Sequence, residues 1–538
     1  MKISKLIRLS VFAFLAISLT ANAQNTPAFT PKKTALTETQ LQRWSHLDLS
    51  NDSIPGMSVD KAYAELLKDK KGTTVIVGIV DSGVDIEHDD LKSVVWTNKK
   101  EIPGNGKDDD KNGYIDDIHG WNFLGDITKE NYEYERIANN KNLVDEPTFL
   151  KAKAANDKKF EDAKAGKAQM EMAMTATKNA DEVLQKHLGK SVYTADEVAK
   201  IESSDAEIKR SKAIIGQMLN YGLPIPDLLS EIKKQSDQMD VILSGPKSYT
   251  DYRKILGDNP EDLKDTKYGN NNVIGPDKNE ALHGTHVAGI VAQTRNNNIG
   301  GDGIANNVQI LTARAVPDGD EYDKDIALAI RYAVDNGAKV INGSFGKAFS
   351  PHKQWVYDAI KYAEKKDVLI VHAAGNDAKD IDIEDNFPND SDDKKTEFAS
   401  NLITVGALNY EYGAKVVADF SNFGQLNVDV FAPGVQIYAT VPNNTFQFLQ
   451  GTSMASPNVA GVAALIRSYY PKLSAKQVKQ ILMDSGNPIT QDVIVGGDES
   501  NQKPFTTLAV SGKMVNAYNA LVMAEQMSKN PKQNKIKG

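Results

Sequence analysis

The sequence predicts an α/β fold of three layers, a parallel sheet between helices, interrupted by one large helical insertion. Three observations predict it. Continuous β-branched and apolar runs recur at 73–80, 309–316, 339–345, 368–373 and 401–407, and runs of that length read as strands buried on both faces. Helical periodicity falls between them at 324–335, 354–365 and 455–470, and alternating strands and helices imply a parallel sheet covered on both sides. The third is a stretch over 129–265, rich in Lys, Ala, Glu and Asp, in which no β-branched run occurs.

The elements follow in chain order. Lys2, Lys5 and Arg8 precede an apolar run from Val11 to Leu19 that ends at Ala21-Asn22-Ala23. This is the order of a secretory signal segment cut before Gln24, expected over 1–23, and the run is too short to span a membrane. Residues 24–59 are polar, with Pro27, Pro31 and Pro55, and are expected to form an extended lead-in. A helical stretch at 59–68 opens the main domain, expected to comprise 60–128 and 266–525. Within the insertion, Thr194-Ala-Asp-Glu197 is a capping box, and Tyr193 and Val198 are placed as a hydrophobic staple. The helix it opens is expected to run to Gly222-Leu-Pro224, and another to start at Pro226-Asp227. Met170, Met172, Met174, Ile214, Ile215, Met218 and Leu219 are the candidates for burial there. Residues 526–538 form a polar, basic tail expected to be disordered.

Composition excludes several functions. With 538 residues and 40% hydrophobic content, a sizeable core needs no metal or disulfide staple. The net charge is −9, and loss of the three leading cations would make it −12, which argues against nucleic acid or an anionic membrane as partner. There is no cysteine, so thiol catalysis and Cys-ligated zinc are ruled out.

Three local sequences carry chemistry. Val80-Asp81-Ser82-Gly83-Val84-Asp85 directly follows the first strand, at the carboxyl end where function sits in parallel sheets. His283-Gly-Thr-His286-Val-Ala-Gly289 and Gly451-Thr-Ser453-Met-Ala-Ser-Pro457 each open a helical pattern. Together they resemble the signature motifs of the subtilisin-like serine proteases (subtilases, peptidase family S8), in that family's chain order. The resemblance implies that His283 takes the proton of the Ser453 hydroxyl and that Asp81 holds the imidazole tautomer and stabilises its cation. Pro457 is expected in the first helical turn, where an amide has no partner to lose.

A fourth motif, Val371-His-Ala-Ala-Gly375-Asn376, resembles the family's oxyanion-hole segment, with Asn376 as the donor. Ser344-Phe345-Gly346 resembles its substrate-binding edge, to which a peptide adds as an antiparallel strand. Ala373-Ala374-Gly375 resembles the facing wall of the S1 pocket. Phe345 stands where the family more often has Leu, and the insertion lies outside the resemblance altogether.

Asp108-Asp-Asp110-Lys-Asn112-Gly113-Tyr114-Ile-Asp116 has oxygen donors at the spacing of a calcium loop, with His119 in place of the bidentate Glu. A structural Ca²⁺ held by Asp108, Asp110, Asn112, Tyr114 and Asp116 is therefore expected. The reading that results is an exported serine endopeptidase, periplasmic or secreted, monomeric, acting on protein or peptide substrates. The alternative is a binding protein on a peptidase fold that recruits a partner through the insertion. An esterase is excluded by Ala455, which replaces the second glycine of the hydrolase elbow.

Overall fold

In the computed structural model, which describes residues 29, 31–219, 224–244 and 249–529, the predicted runs form the centre of a nine-stranded sheet. Its parallel part consists of β1 (Val75–Asp81), β2 (Gly120–Asn122), β3 (Val308–Arg314), β4 (Val340–Gly343), β5 (Leu369–Ala373), β6 (Leu402–Leu408) and β7 (Val430–Pro433). They lie in the order β2-β3-β1-β4-β5-β6-β7. A hairpin of β8 (Ile437–Val441) and β9 (Thr445–Leu449) and another of β11 (Asp492–Val495) and β12 (Asp498–Pro504) stand apart from it. At the β7 edge the sheet continues through β13 (Lys513–Met514) to β10 (Asn487–Pro488), which pairs antiparallel.

Because successive side chains point to opposite faces, the apolar runs fill two cores at once. Val75, Val77, Ile79, Ile310 and Val371 pack on one side with α9 (Leu282–Ala292), α12 (Thr452–Tyr469), α13 (Ala475–Asp484) and α14 (Ala517–Lys529). Val80, Leu311, Ala313 and Ile370 pack on the other with α10 (Asp323–Asp335) and α11 (Lys353–Lys365). The three-layer expectation is met.

The lead-in differs from expectation. Residues 24–28 and 30 lie outside the described residues, but the rest is not extended. It forms α1 (Glu38–Arg43), α2 (Leu49–Asp52) and α3 (Val59–Ala62), and Trp44, Leu49, Ile54 and Met57 enter the α12-side core. Trp44 Nε1 donates to Val435 O at 2.9 Å, and Arg43 bridges Asp60 and Asp302. Anchors spaced this irregularly leave no period to read. The signal segment lies outside the described residues. So does the tail from 530, whereas 526–529 complete α14 rather than belonging to the tail.

The insertion is helical, with a small core of its own. Its elements are α4 (Glu133–Asn139), α5 (Glu146–Leu188), α6 (Ala195–Ala199), α7 (Ala206–Leu219) and α8 (Ile225–Ser244). The 43 residues of α5 make a rod about 65 Å long. The Thr194 capping box forms, but its helix stops at Ala199 and a new one starts at Ala206, since Asp205 Oδ1 accepts from Glu207 N and begins a second helix. Gly222 and Leu223 lie outside the described residues. The core consists of Ala180, Leu184, Val198, Ile201, Ile215 and Ile225, with Ile214, Met218 and Leu219 against it. Met172 is 67% exposed, and Met170 and Met174 are only half-buried. Small residues of α5 (Ala152, Ala163, Thr177, Ala180) take the buried stripe instead, because they let neighbouring helices approach closely. Among the described residues, no helix is long and apolar enough to cross a membrane.

The two ends of 129–265 are bonded into the sheet domain. Arg253 makes a bidentate pair with Asp325 of α10 at 2.6 and 2.7 Å, and Lys324 reaches Asp258 at 2.7 Å, all buried. Glu133 accepts from Arg136 and from Lys347 Nζ at 2.7 Å. Burial alone would raise the Glu133 carboxyl, but these two cations outweigh it and hold the pKa at about 2.

Candidate active site

The carboxyl ends of adjacent strands converge. β1 delivers Asp81, its neighbour β4 runs into Ser344, and β5 runs into Gly375 and Asn376. Asp81 is buried and its Oδ1 lies 2.7 Å from His283 Nδ1, 202 positions later in the chain. Gly284 makes this approach possible: a Cβ there would stand 2.1 Å from Gly83 O and 3.1 Å from Asp81 Oδ1. Gly83 itself has φ +111°, a turn conformation that side chains resist. Burial tends to lower the His283 pKa, but the Asp81 charge and hydrogen bond override it and raise the value above the ordinary 6.5. The ring remains over a third exposed, which weakens the desolvation further. His286 is different. Its Nε2 lies against Ile437 O and Gln447 O at 3.0 and 3.1 Å, and burial lowers it to about 4, so this imidazole ties α9 to the β8–β9 hairpin.

Ser453 is the second residue of α12, where backbone N–H groups lack intrahelical partners. Its Oγ donates to Ser344 O at 3.2 Å and makes no hydrogen bond to His283. Contacts of this kind tighten when substrate is present. Pro457 falls at the sixth helical position, not in the first turn as expected. Its missing N–H frees Ser453 O, which accepts from Ser344 Oγ at 2.9 Å. Asn342 Nδ2 donates to Ser344 Oγ, and Ser456 Oγ donates to Asn342 Oδ1, closing a ring of hydrogen bonds between the strand end and the helix.

The orientation of Asn376 is set by a residue whose role was not legible in the motif. Thr452 N can only donate, and it lies 2.8 Å from the Asn376 amide, so the atom facing it is Oδ1. Thr452 Oγ1, which accepts from Gly375 N at 3.0 Å, gives its own proton to the same oxygen at 2.9 Å. Nδ2 is thereby left to face outward. A Cβ built on Gly451 lies 3.6 Å from Asn376 Nδ2 and from Ser453 N and 3.7 Å from Asn376 Oδ1, so the Asn376 amide and the Ser453 N–H lie close to each other.

These groups open into a cleft of about 400 Å³, lined by Phe345, Gly346, Ala373, Gly375, Asn376 and Ser453 among others. Ser344 contributes its carbonyl and hydroxyl rather than a wall. Ala374, expected in the S1 wall, turns into the core instead, with its carbonyl held by Asn422 Nδ2 at 2.9 Å. Asn386 also lines the cleft, its Oδ1 3.5 and 3.6 Å from Cβ positions built on Gly346 and Gly375, with Glu384 and Asp385 in the same lining. A side chain at either glycine would narrow this slot. Phe345 lies 5.9 Å from His372, a buried imidazole lowered by burial to about 4.

The calcium-like loop is brought together only in part. Asp108 and Asp110 converge with Glu101, which precedes the loop, their ligand oxygens all within 4.8 Å. Asn112 uses its side chain on Tyr114 N and Asp117. The Tyr114 ring packs on Trp121 and Tyr332, and Asp116 caps Asn105 N and Gly106 N. His119 turns to Trp96 O at 2.8 Å.

Residues 72–506 match the model of the subtilase family, Peptidase_S8. Among curated proteins, the chain is 44% identical over 187 residues to a thermophilic serine proteinase of Bacillus sp. (strain AK1), covering 35% of this chain and 42% of that one. It is 34% identical over 277 residues to the cell wall-associated protease of Bacillus subtilis (strain 168), covering 51% and 28%. It is 37% identical over 218 residues to subtilisin DY of Bacillus licheniformis, covering 40% and 73%. The chain thus spans less than half the length of the first two relatives.

Proposed function

The chain belongs to the subtilase family, and on that footing we propose that it is an exported serine endopeptidase cleaving peptide bonds through an acyl-enzyme on Ser453. The observation that carries this is the Asn376 amide held through its Oδ1 by Thr452 N, which leaves Nδ2 as a donor close to Ser453 N at the head of α12. In this reading His283 Nε2 removes the hydroxyl proton as Ser453 Oγ attacks the scissile carbonyl. The oxyanion settles between the two donors, and the imidazolium is held by Asp81. Collapse returns the proton to the leaving amine, and water then hydrolyses the ester with His283 again as base. Ser344 and Gly346 hold the peptide as an added strand, and Gly346 and Gly375 leave room for its P1 side chain. The test is Ser453→Ala assayed on a denatured protein. Activity is expected to fall by about 10⁶-fold, the loss measured in subtilisin itself, with an unchanged melting temperature. Cleavage at the parent rate would overturn the assignment.

Export rests on the basic, apolar and small-residue order of 1–23, and N-terminal sequencing of the mature protein should begin at Gln24. A structural Ca²⁺ fits the residues present, though by a different set from the loop alone. Glu101 Oε2 is buried beside Asp108 and Asp110 and has no partner, which a divalent cation would supply. Chelator should lower the melting temperature of the parent and not of Glu101→Gln; equal midpoints with and without calcium in the parent would remove the ion from the account.

A further inference from the structure

Tyr132, at the entrance to the insertion, lines two cavities at once. One is the catalytic cleft, and the other is a chamber of about 410 Å³ between the sheet domain and the insertion helices. We propose that this chamber is a substrate subsite, taking an aromatic or aliphatic side chain of the substrate upstream of the scissile bond. The inference rests on the endopeptidase reading and extends it to the part of the chain that the family motifs do not reach.

Direction comes from strand pairing. A peptide added antiparallel to Ser344–Gly346 with its reacting carbonyl at Ser453 runs, on its upstream side, toward Lys347. Lys347 Nζ is bonded to Glu133, the neighbour of Tyr132. The floor is continuous as well: Asp320 lines the cleft, while Asp318 and Gly319 line the chamber. Tyr132 is held firmly between them. Glu130 N donates to Asp318 O at 2.8 Å, and Glu133 N donates to Asp320 Oδ2 at 2.7 Å. Tyr134 stacks on the Tyr132 ring at 5.4 Å and 4°, and Lys159 of α5 lies over it at 5.1 Å.

The chemistry of the chamber selects the ligand. The charges nearest the insertion are matched, Glu135 with Lys159 at 2.6 Å and Glu130 with Arg136 and Asn131, while Lys129 and Asp318 of the lining are solvent-exposed. Beside those pairs the chamber presents apolar surface: Tyr132 43% exposed, Val241 70% exposed, with Phe160 and Ile242 in the same lining. An incoming apolar side chain would remove that surface from water.

The experiment uses the full chain and a set of fluorogenic peptides sharing one cleavable core. Phe is placed at successive upstream positions, with Ser as the control at each. At one position Phe should raise kcat/KM about tenfold over Ser, and that ratio should fall to near one in both Tyr132→Ala and Val241→Asp while surviving in Tyr132→Phe. Melting temperatures show that each variant is folded. A ratio near one at every position in the parent, or a ratio that survives both disruptive variants, overturns the subsite. Failure of the folded parent to cut any peptide, or a denatured protein, overturns instead the endopeptidase reading on which it rests.

Discussion

Two helices, α12 and α5, show how differently the two halves of the molecule are held. α12 is 18 residues long and buried along almost its whole length, whereas α5 has 43 residues and buries Ala152, Ala163, Thr177, Ala180 and Leu184. The first carries Ser453 and is enclosed by the sheet, α9 and α14. The second stands on i,i+4 ion pairs such as Lys153–Asp157 and Lys158–Asp162, each worth only a few tenths of a kcal/mol. Chemistry that tolerates little displacement is placed where packing permits none. The proposed subsite joins the two regimes, taking Tyr132 from the firmly bonded junction and Phe160 and Val241 from the sparsely buried helices.

Four variants would sharpen or break this contrast. The largest effect is expected at the junction. Asp325→Asn leaves the buried Arg253 guanidinium underpaired, at a cost of about 3–5 kcal/mol. Thermal unfolding should shift down and protease should cut within 129–265 first; an unmoved midpoint would mean that the two halves are coupled by something else. Next is Asn376→Ala, expected to lower kcat by about 10²–10³-fold with KM little changed, as the corresponding amide does in subtilisin. Thr452→Val, which removes one of the two hydrogen bonds orienting that amide, should cost about tenfold in kcat and be rescued by Thr452→Ser. A KM effect without a kcat effect would assign both residues to substrate binding. Smallest for the enzyme as a whole is Ile215→Ala in the insertion core. It should cost about 2–4 kcal/mol locally and speed hydrogen exchange in α7 while leaving exchange in α12 unchanged. Faster exchange in both would show that the halves unfold together.

The same contrast decides what was legible in the sequence. The strands β1 and β3 to β6 show because burial on both faces demands unbroken apolar runs, whereas the three residues of β2 are too few to make one; Asp81, His283 and Ser453 show because the motifs around them are long and ordered. Thr452 sits inside one of those motifs, yet its task concerns Asn376, 76 positions earlier, and no local pattern encodes that partner. Glu101 was missed for a related reason. It joins Asp108 and Asp110 from outside the loop whose spacing drew attention, while Asp116 and Asn112, inside it, are occupied with their own backbone and neighbours. Trp44 and Ile54 reach the core as isolated anchors in a polar stretch, where hydrophobic periodicity has nothing to count. The break between α6 and α7 was lost because Asp205 reads equally well as a helix surface residue and as a helix start.

Pro457 has a mechanical consequence. By withholding one amide proton it leaves the carbonyl of Ser453 to Ser344 Oγ, so the residue that would attack and the edge that would grip the substrate are fastened to each other. Displacements of α12 relative to the sheet then carry both together, and the separation between attacking oxygen and gripped peptide is insulated from them. A rigid scaffold fixes where a nucleophile stands; a shared fastening of this sort fixes where it stands relative to its target, which is the coordinate that the barrier depends on.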